Sequence, residues 1–506
     1  MKHIIPKRVK YAEYAIRDVI VEAEKVKKKK KKILDFSVGD PIINGFDIPD
    51  KLKVALCKSV EKYNYYGNPI GEKEVREAIC IKEKKYNNVY IEPENIITGN
   101  GVSEVFFIFS SGLFERGEEI LVPNPCYPIF FTYPRFFGAS VKFYNCNENN
   151  EWMPDVEDIK KKISKKTKAI VIINPNNPTG AVYDRKVLLE IANIAIENKL
   201  FLVCDEIYDH NVIEGKFYSL ASIVKDYPTF VFNGISKCYF ATGWRFGYMY
   251  LANPNKETLE MFEHLKKIAR MRGFTNTVIQ YAATTLMKKE PFLQPYMGEI
   301  KKRRDFFLKR LNELIEKYPY IDYVKPKGAF YIFPNIKKLI KKNIIKNDRD
   351  FVISLIKEKG IVFVYGSGFG KACYHYFRSV FIKSIEEIDE MFNKLELFIK
   401  NKSLNNFMKS KVVEVLKDVG YDISEREIEE PPKKEFGDYS FPCFNLAKKF
   451  NVSPIELARQ ITRNVPVDRY PFLLKVEAVN GYVNFFIYWE KVADEILNNS
   501  LNMKKL

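Results

Sequence analysis

Two apolar runs, KAIVII (168–173) and KLFLVCD (199–205), break off into polar residues, and they limit the fold more than any other stretch of the chain. A strand with one wet face alternates apolar and polar residues. A continuous apolar run is covered on both faces, the pattern of a parallel sheet buried between helices. A third run, TFVFNGI (229–235), leads into Ser236 and Lys237. The residues just beyond each run are chemically distinct, and function is best sought there.

After the first run comes Asn174-Pro-Asn-Asn-Pro-Thr-Gly180. Two prolines and a glycine force a rigid, non-helical strand end, suited to a cis bond before Pro178. Such a loop can hold Asn177 as a fixed donor. The second run ends in Asp205 and Glu206. A carboxylate there is costly without a cationic partner, unless it caps a helix. Beyond the third run, Lys237 is followed eight residues later by Arg245, behind a Thr-Gly-Trp turn. A lysine at the end of a buried strand is desolvated, so its neutral form is favoured and can attack a carbonyl carbon. A surface lysine is the alternative for Lys237 taken alone. Arg245 has the planar fork that binds two phosphate oxygens at once. Upstream, IITGNGVSEVFFIF is a strand, a glycine loop and an apolar helix, which aims backbone N–H groups and the helix dipole at an anion. Many strand–helix joints contain glycine, so this loop reads equally as an ordinary joint. Downstream, Arg378 lies within the strand-like HYFRSVFI, where a half-buried arginine needs a partner; an edge-strand salt bridge is the alternative.

With NPNNPTG, SKCYFATGWR and the other segments in this order, residues from about 5 to 402 resemble the class I/II aminotransferases, fold-type-I enzymes that use pyridoxal phosphate. YAIRDVI, NYYG and HYFRSVF are closest in wording to archaeal alanine aminotransferases. The resemblance implies an α/β fold with a mostly parallel central sheet flanked by helices, plus a smaller α+β domain. The large domain would span about 48–290, the small one 1–47 and 291–405. By resemblance Lys237 carries the cofactor covalently and shuttles the substrate proton. Asp205 holds the proton on the pyridine nitrogen, making the ring an electron sink. Asn177 and Tyr208 donate to the phenolic oxygen. Tyr127 stacks on the ring, which suits a flat, electron-poor π system, or is simply packed. Gly101, Val102, Ser103, Ser236 and Arg245 bind the phosphate. Tyr66, in YNYYGNPIGEKEVREAI, reaches the phosphate of a neighbouring subunit, which implies a homodimer with shared sites; a core tyrosine is the alternative. Gly39, in Gly39-Asp40-Pro41, lets the backbone approach the substrate carboxylate, or belongs to an ordinary Gly-Asp-Pro turn, and Arg378 clamps that carboxylate. Two departures stand out: Val75 replaces the family's leucine, and Gly234 replaces a serine three residues before the lysine. The implied reaction exchanges amino groups between an amino acid, alanine, and a 2-oxo acid, 2-oxoglutarate or pyruvate. Glutamate would need a further cation, for which Arg272 is the candidate. Aspartate or aromatic transamination, or a β-lyase reaction on the same cofactor, is the alternative chemistry.

The pattern changes at Met408. FMKSKVVEVLKDVGYDI is an amphipathic helix, followed by Phe436-Gly-Asp-Tyr-Ser and Asn480-Gly-Tyr-Val-Asn-Phe-Phe. These resemble the N-terminal additional domain of arginyl-tRNA synthetases, over 408–506, which implies an extra α/β module. Tyr482 and Phe485 could stack on bases if they face outward; strand alternation lets about half of such residues do so. Only four histidines occur (3, 210, 264 and 375), so no HxGH nucleotide motif exists and no adenylating function is expected. The net charge of +18 lies wholly before Met408, since the tail holds 15 Lys+Arg against 15 Asp+Glu. Tight electrostatic binding of tRNA therefore has no support in the tail. Either two adjacent genes are joined there or the module is a tRNA-binding fusion. Lys27 to Lys32 form a solvated helix end or a nucleic-acid patch. Eight scattered cysteines without a CxxC pair, and no apolar run near the roughly 20 residues a membrane span needs, fit a reduced, cytoplasmic protein.

Overall fold

A computed structural model describes residues 8–9, 15–29, 32–288 and 294–493, in two compact units, Met1–Phe398 and Ile399–Leu506. Among the described residues no helix is long and apolar enough to cross a membrane.

The three apolar runs form adjacent strands at the centre of the first unit. Its eight-stranded sheet runs in the order Ile96–Gly99, Gly247–Ala252, Thr229–Gly234, Phe201–Asp205, Thr167–Ile173, Glu119–Asn124, Ser140–Asn147, Met153–Pro154. Thr229–Gly234 through Ser140–Asn147 are parallel, whereas Gly247–Ala252 pairs antiparallel with both its neighbours. Register places Ile173 opposite Asp205 and Asp205 opposite Phe232, so the polar segments emerge side by side at one edge. That alignment builds the site.

Burial on both faces is complete at the centre: Val171, Val203, Phe230 and Phe232 are inaccessible. Helix Val102–Leu113 covers one face, with Phe106 against Phe232 at 5.3 Å and Phe109 against Phe230 at 5.0 Å between ring centroids. Each fully buried phenylalanine contributes about 2–3 kcal/mol. Smaller sheets complete the unit. Leu34–Asp35 pairs parallel with Ile361–Val362, and Phe377–Val380 lies between Tyr331–Ile332 and Val364–Tyr365, antiparallel to both. Helical spacing of apolar residues over 11–26 predicts a first helix; it is described over Ala15–Lys27, and 11–14 lie outside the described residues.

The second unit has a three-stranded antiparallel sheet, Tyr439–Pro442, Tyr482–Ile487 and Leu473–Val479, with Tyr482–Ile487 central. Met408, Val412 and Leu416, on helix Ile385–Asp418, pack in one core with Phe441, Leu457, Ile461 and Phe485. The two tail motifs are paired strands: Ser440 faces Asn484 in register, and its hydroxyl donates to the Asn484 amide oxygen. Asp438 accepts from Ile487 N–H at 2.7 Å and Trp489 Nε1 at 3.0 Å. Of the two readings of Phe485, outward stacking and core, the structure supports core, because this side chain is wholly buried. Tyr482 is half-buried, with its ring 5.2 Å from that of Phe444.

Candidate active site

The ends of three parallel strands supply the floor of a cavity of about 780 Å³. Asn177, Asp205, Tyr208, Ser236 and Lys237 line it, joined by Gly39, Val102, Ser103, Tyr127, Arg245 and Arg378. Among the described residues no cluster of His, Cys, Asp and Glu could hold a metal ion.

Asn177 is fixed by a loop with cis bonds at Asn174–Pro175 and Asn177–Pro178, and by Asn176, whose side-chain oxygen accepts from Thr179 Oγ1 at 2.8 Å. The Asn177 oxygen accepts from Arg378 Nη1 at 3.0 Å, so its amide N–H₂ points elsewhere. Arg378 stands mid-strand in Phe377–Val380 and is almost wholly buried. Its Nη2 donates to the Ser37 carbonyl, and its Nε has no partner among the described residues. No carboxylate neutralises this guanidinium among its contacts in the described residues. A buried, uncompensated fork is suited to an anionic ligand.

Asp205 shows the opposite imbalance. Burial pushes its carboxyl up to about 7, against the opposing pull of the Ile207 N–H and the Lys237 charge. It does not cap a helix; Ile207 N–H donates to Oδ1 at 3.3 Å in the following turn. Lys237 Nζ donates to the Gly39 carbonyl at 2.6 Å and lies 5.9 Å from the Tyr208 ring centroid. The Tyr208 hydroxyl is 2.8 Å from that of Tyr331. Burial, and next the Tyr331 hydroxyl, push Tyr208 well above its ordinary value, so it keeps its proton and can donate.

Val102 and Ser103 begin helix Val102–Leu113, where N–H groups of the first turn have no intrahelical acceptor. Gly101 precedes it at φ 84°, and a Cβ there would lie 2.5 Å from Arg245 Nη2. The positive φ favours glycine, and the absence of a Cβ leaves the guanidinium its place. Arg245 is held at φ 55°, with Nη1 donating to Thr242 O at 2.9 Å and Nη2 to Asn100 O at 3.3 Å. The first-turn N–H groups, a hydroxyl at Ser236 and a guanidinium bonded only to carbonyls among the described residues form a donor set that suits a phosphate.

Some expected residues lie elsewhere. Tyr66 is 90% exposed, its ring 5.3 Å from Phe274, and does not line this cavity. Arg272, the expected cation for glutamate, is engaged: Nη1 pairs with Glu104 at 2.6 Å, and Nη2 donates to Pro69 O and Thr98 O. It does not line the cavity. Arg17, which the sequence did not mark, does; it is exposed and makes no ion pair among the described residues. Tyr331, also unmarked, lines the cavity beneath Arg378, whose guanidinium carbon is 4.4 Å from its ring centroid.

The strand-end loop after Asp205 is anchored on its far side. Asp209 Oδ2 accepts from Lys82 Nζ at 2.8 Å and from Asn233 Nδ2 at 2.9 Å. Lys82 also bonds Glu83 at 2.9 Å, whose other donors include the Tyr248 hydroxyl at 2.7 Å. Burial opposes charge on Asp209, but His210, the Lys82 ammonium and the Asn87 amide outweigh it and hold the carboxyl well below its usual range. Thus one buried cluster ties together the segments that carry Tyr208, Lys237 and Arg245.

Comparison with known proteins matches two families along the chain. The family Aminotransferase class I and II matches residues 31–395, and Arginyl tRNA synthetase N terminal domain matches residues 406–487. A glutamate-pyruvate aminotransferase of Haemophilus influenzae is 33% identical over 75% of this chain and 94% of its own length. The solved structure of an alanine aminotransferase from Pyrococcus furiosus is 42% identical, covering 78% of this chain and all of that one, with a TM-score of 0.74. An aspartate aminotransferase of Pyrococcus abyssi is 32% identical over 74% of this chain and 93% of its own.

Proposed function

The chain belongs to the class I and II aminotransferases, a pyridoxal-phosphate-dependent family, and from that premise we propose that it transfers amino groups between L-alanine and 2-oxoglutarate. One observation carries the site assignment: Lys237, Asp205 and the uncompensated Arg378 line the same cavity.

The residues fit the cofactor. Asp205, a buried carboxyl held near 7, would gain a cationic partner in a protonated ring nitrogen, and Tyr127 lines the cavity to cover a ring. Val102, Ser103, Ser236 and Arg245 would hold the phosphate; Asn177 and Tyr208 would donate to the phenolic oxygen; Lys237 would hold the cofactor through Nζ. When bound, pyridoxal phosphate supplies an electron sink for the substrate Cα and carries the amino group between the two substrates. Arg378 orients the substrate carboxylate through two N–H donors, fixing which Cα substituent meets Lys237. Lys237 Nζ would take the proton from the substrate Cα and deliver it to the cofactor's C4′ carbon within the same half-reaction, and the second half-reaction would run that transfer in reverse. The Gly39 carbonyl, which accepts from Nζ, holds the amine against the cavity wall. Tyr66, exposed and outside the lining of its own cavity, would serve the phosphate of a second copy in a homodimer.

The 2-oxoglutarate preference is supported by Arg17, a further cation at the cavity besides Lys237, Arg245 and Arg378, and by the relative named for glutamate and pyruvate. The relative named for aspartate favours a second reading, aspartate as donor. Absorbance of the protein loaded with pyridoxal phosphate separates these. A visible band that shifts with L-alanine and returns with 2-oxoglutarate is the expected result. A band that ignores alanine and answers aspartate would favour the second reading, and no band at all would refute both. For the second unit, a tRNA contact is a separate proposal, supported by its family match and opposed by the zero net charge of residues 408–506. Retention of tRNA by the full chain at about 150 mM salt, but not by residues 1–405, would support it.

A further inference from the structure

We infer that Tyr331 is a positioning residue of this site, setting the proton direction of Tyr208 through its hydroxyl and the plane of Arg378 through its ring. This role rests on the proposed function, in which Tyr208 donates toward the bound cofactor.

The backbone explains the placement. Tyr331–Ile332 pairs antiparallel with Phe377–Val380, with Tyr331 opposite Val380. Arg378 is two residues from Val380 on the same strand, hence on the same face and diagonal to Tyr331. The Tyr331 ring centroid is 4.4 Å from the guanidinium carbon, and the Phe369 ring is 4.9 Å from it. Hydrogen bonds to Asn177 and Ser37 fix two nitrogens, while the two rings restrict the plane. A bidentate clamp depends on that plane.

The hydroxyl does a different task. The two hydroxyls lie 2.8 Å apart, one hydrogen lies between them, and either oxygen could be the donor. Tyr208 has a single proton. If it is given to a ligand in the cavity, the Tyr331 proton must point at the Tyr208 oxygen. A phenol that accepts one hydrogen bond donates the next one more strongly, so Tyr331 strengthens the contact Tyr208 makes. The rings cross at 83° with centroids 5.9 Å apart, leaving the two hydroxyls to meet at their tips. The same tip confines Gly39: a Cβ at that position would overlap the Tyr331 hydroxyl. Tyr331 thus contacts the loop whose carbonyl accepts from Lys237.

The test uses the full chain loaded with pyridoxal phosphate, as parent, Tyr331→Phe, Tyr331→Leu, Tyr208→Phe and the Tyr208→Phe/Tyr331→Phe double variant. The readouts are the pH midpoint of the visible absorbance band, KM for L-alanine and the melting temperature. Tyr331→Phe keeps the ring and loses the proton, so the midpoint should rise by about half a pH unit, in the direction Tyr208→Phe moves it. Its KM should stay within about twofold and its melting temperature should not move. Tyr331→Leu removes the ring and should raise KM about tenfold as well. The double variant should titrate like Tyr208→Phe alone, because Tyr331 acts through that hydroxyl. A Tyr331→Phe midpoint equal to the parent's, or a shift that adds to that of Tyr208→Phe, overturns the inference and leaves the cofactor reading standing. A parent without any visible band overturns both.

Discussion

Asp205→Asn should stabilise the cofactor-free protein, and the gain should grow with pH. Burial raises the folded-state value of this carboxyl from 3.8 to about 7. Between these values the unfolded chain has released a proton that the folded chain still holds. Stability is therefore lost as pH rises from 3.8, and the loss levels off above 7. Three units correspond to about 4 kcal/mol at pH 8, falling to about 2 kcal/mol at pH 5. Asparagine does not ionise and still offers an oxygen to the Ile207 N–H. For a first unit of about 400 residues, 4 kcal/mol raises the melting temperature by roughly 5 °C. Calorimetry of the stripped protein at pH 5 and 8, with and without added pyridoxal phosphate, reads this directly. Saturating cofactor should reverse the order at pH 8, because only the aspartate offers a charged partner to a protonated ring nitrogen. A stripped variant that melts no higher than the parent at pH 8 would refute the reasoning, as would a gap that is the same at both pH values.

Other perturbations separate binding from folding. Arg378→Lys keeps a charge but loses the planar fork, and KM for L-alanine should rise roughly 10- to 100-fold by steady-state kinetics. Arg17→Met should raise KM for 2-oxoglutarate about tenfold while KM for pyruvate changes less than about twofold; equal effects on both would remove Arg17 from the distal end of the substrate. Asp209→Ala strips one carboxylate from the buried Lys82 ammonium and should cost about 3–5 kcal/mol in denaturant unfolding. A loss below about 1 kcal/mol would mean that Glu83 alone satisfies Lys82.

The central sheet was legible because its strands are covered on both faces, which writes burial into the sequence as unbroken apolar runs at 168–173, 199–205 and 229–235. The polar residues that end those runs were legible for the same reason: a change from apolar to Asn, Asp or Lys marks the sheet edge. Tyr331 was not, since a tyrosine inside GAFYIFP reads as core, and only the pairing with Phe377–Val380 turns it toward Arg378. Lys82 and Glu83 sit in a lysine- and glutamate-rich stretch that reads as a solvated helix face. Their partner Asp209 is 127 residues from Lys82, a contact no local pattern announces. Arg272 failed as a substrate cation for a similar reason, because Glu104, in the first turn of Val102–Leu113, already takes it. Phe485 could face either way by alternation, and the core of the second unit claimed it.

Asp205 and Asp209 lie four residues apart, are both buried, and are electrostatic opposites. Asp209 receives an ammonium and two amide donors and remains charged; Asp205 receives one backbone N–H and is pushed up to about 7. A fold selected only for stability would satisfy both or replace the second with an uncharged residue. The far side of the loop is where the chain spends its ion pairs, fixing the backbone that carries Tyr208. The cavity side is left with a carboxyl short of a cation and, across the site, an arginine short of an anion. Those two deficits do not cancel each other, because Arg378 is bonded to Asn177 and Ser37 rather than to Asp205. Each therefore remains available to a different charged group, a cationic ring on one side and a carboxylate on the other, and a transaminase must hold both at once.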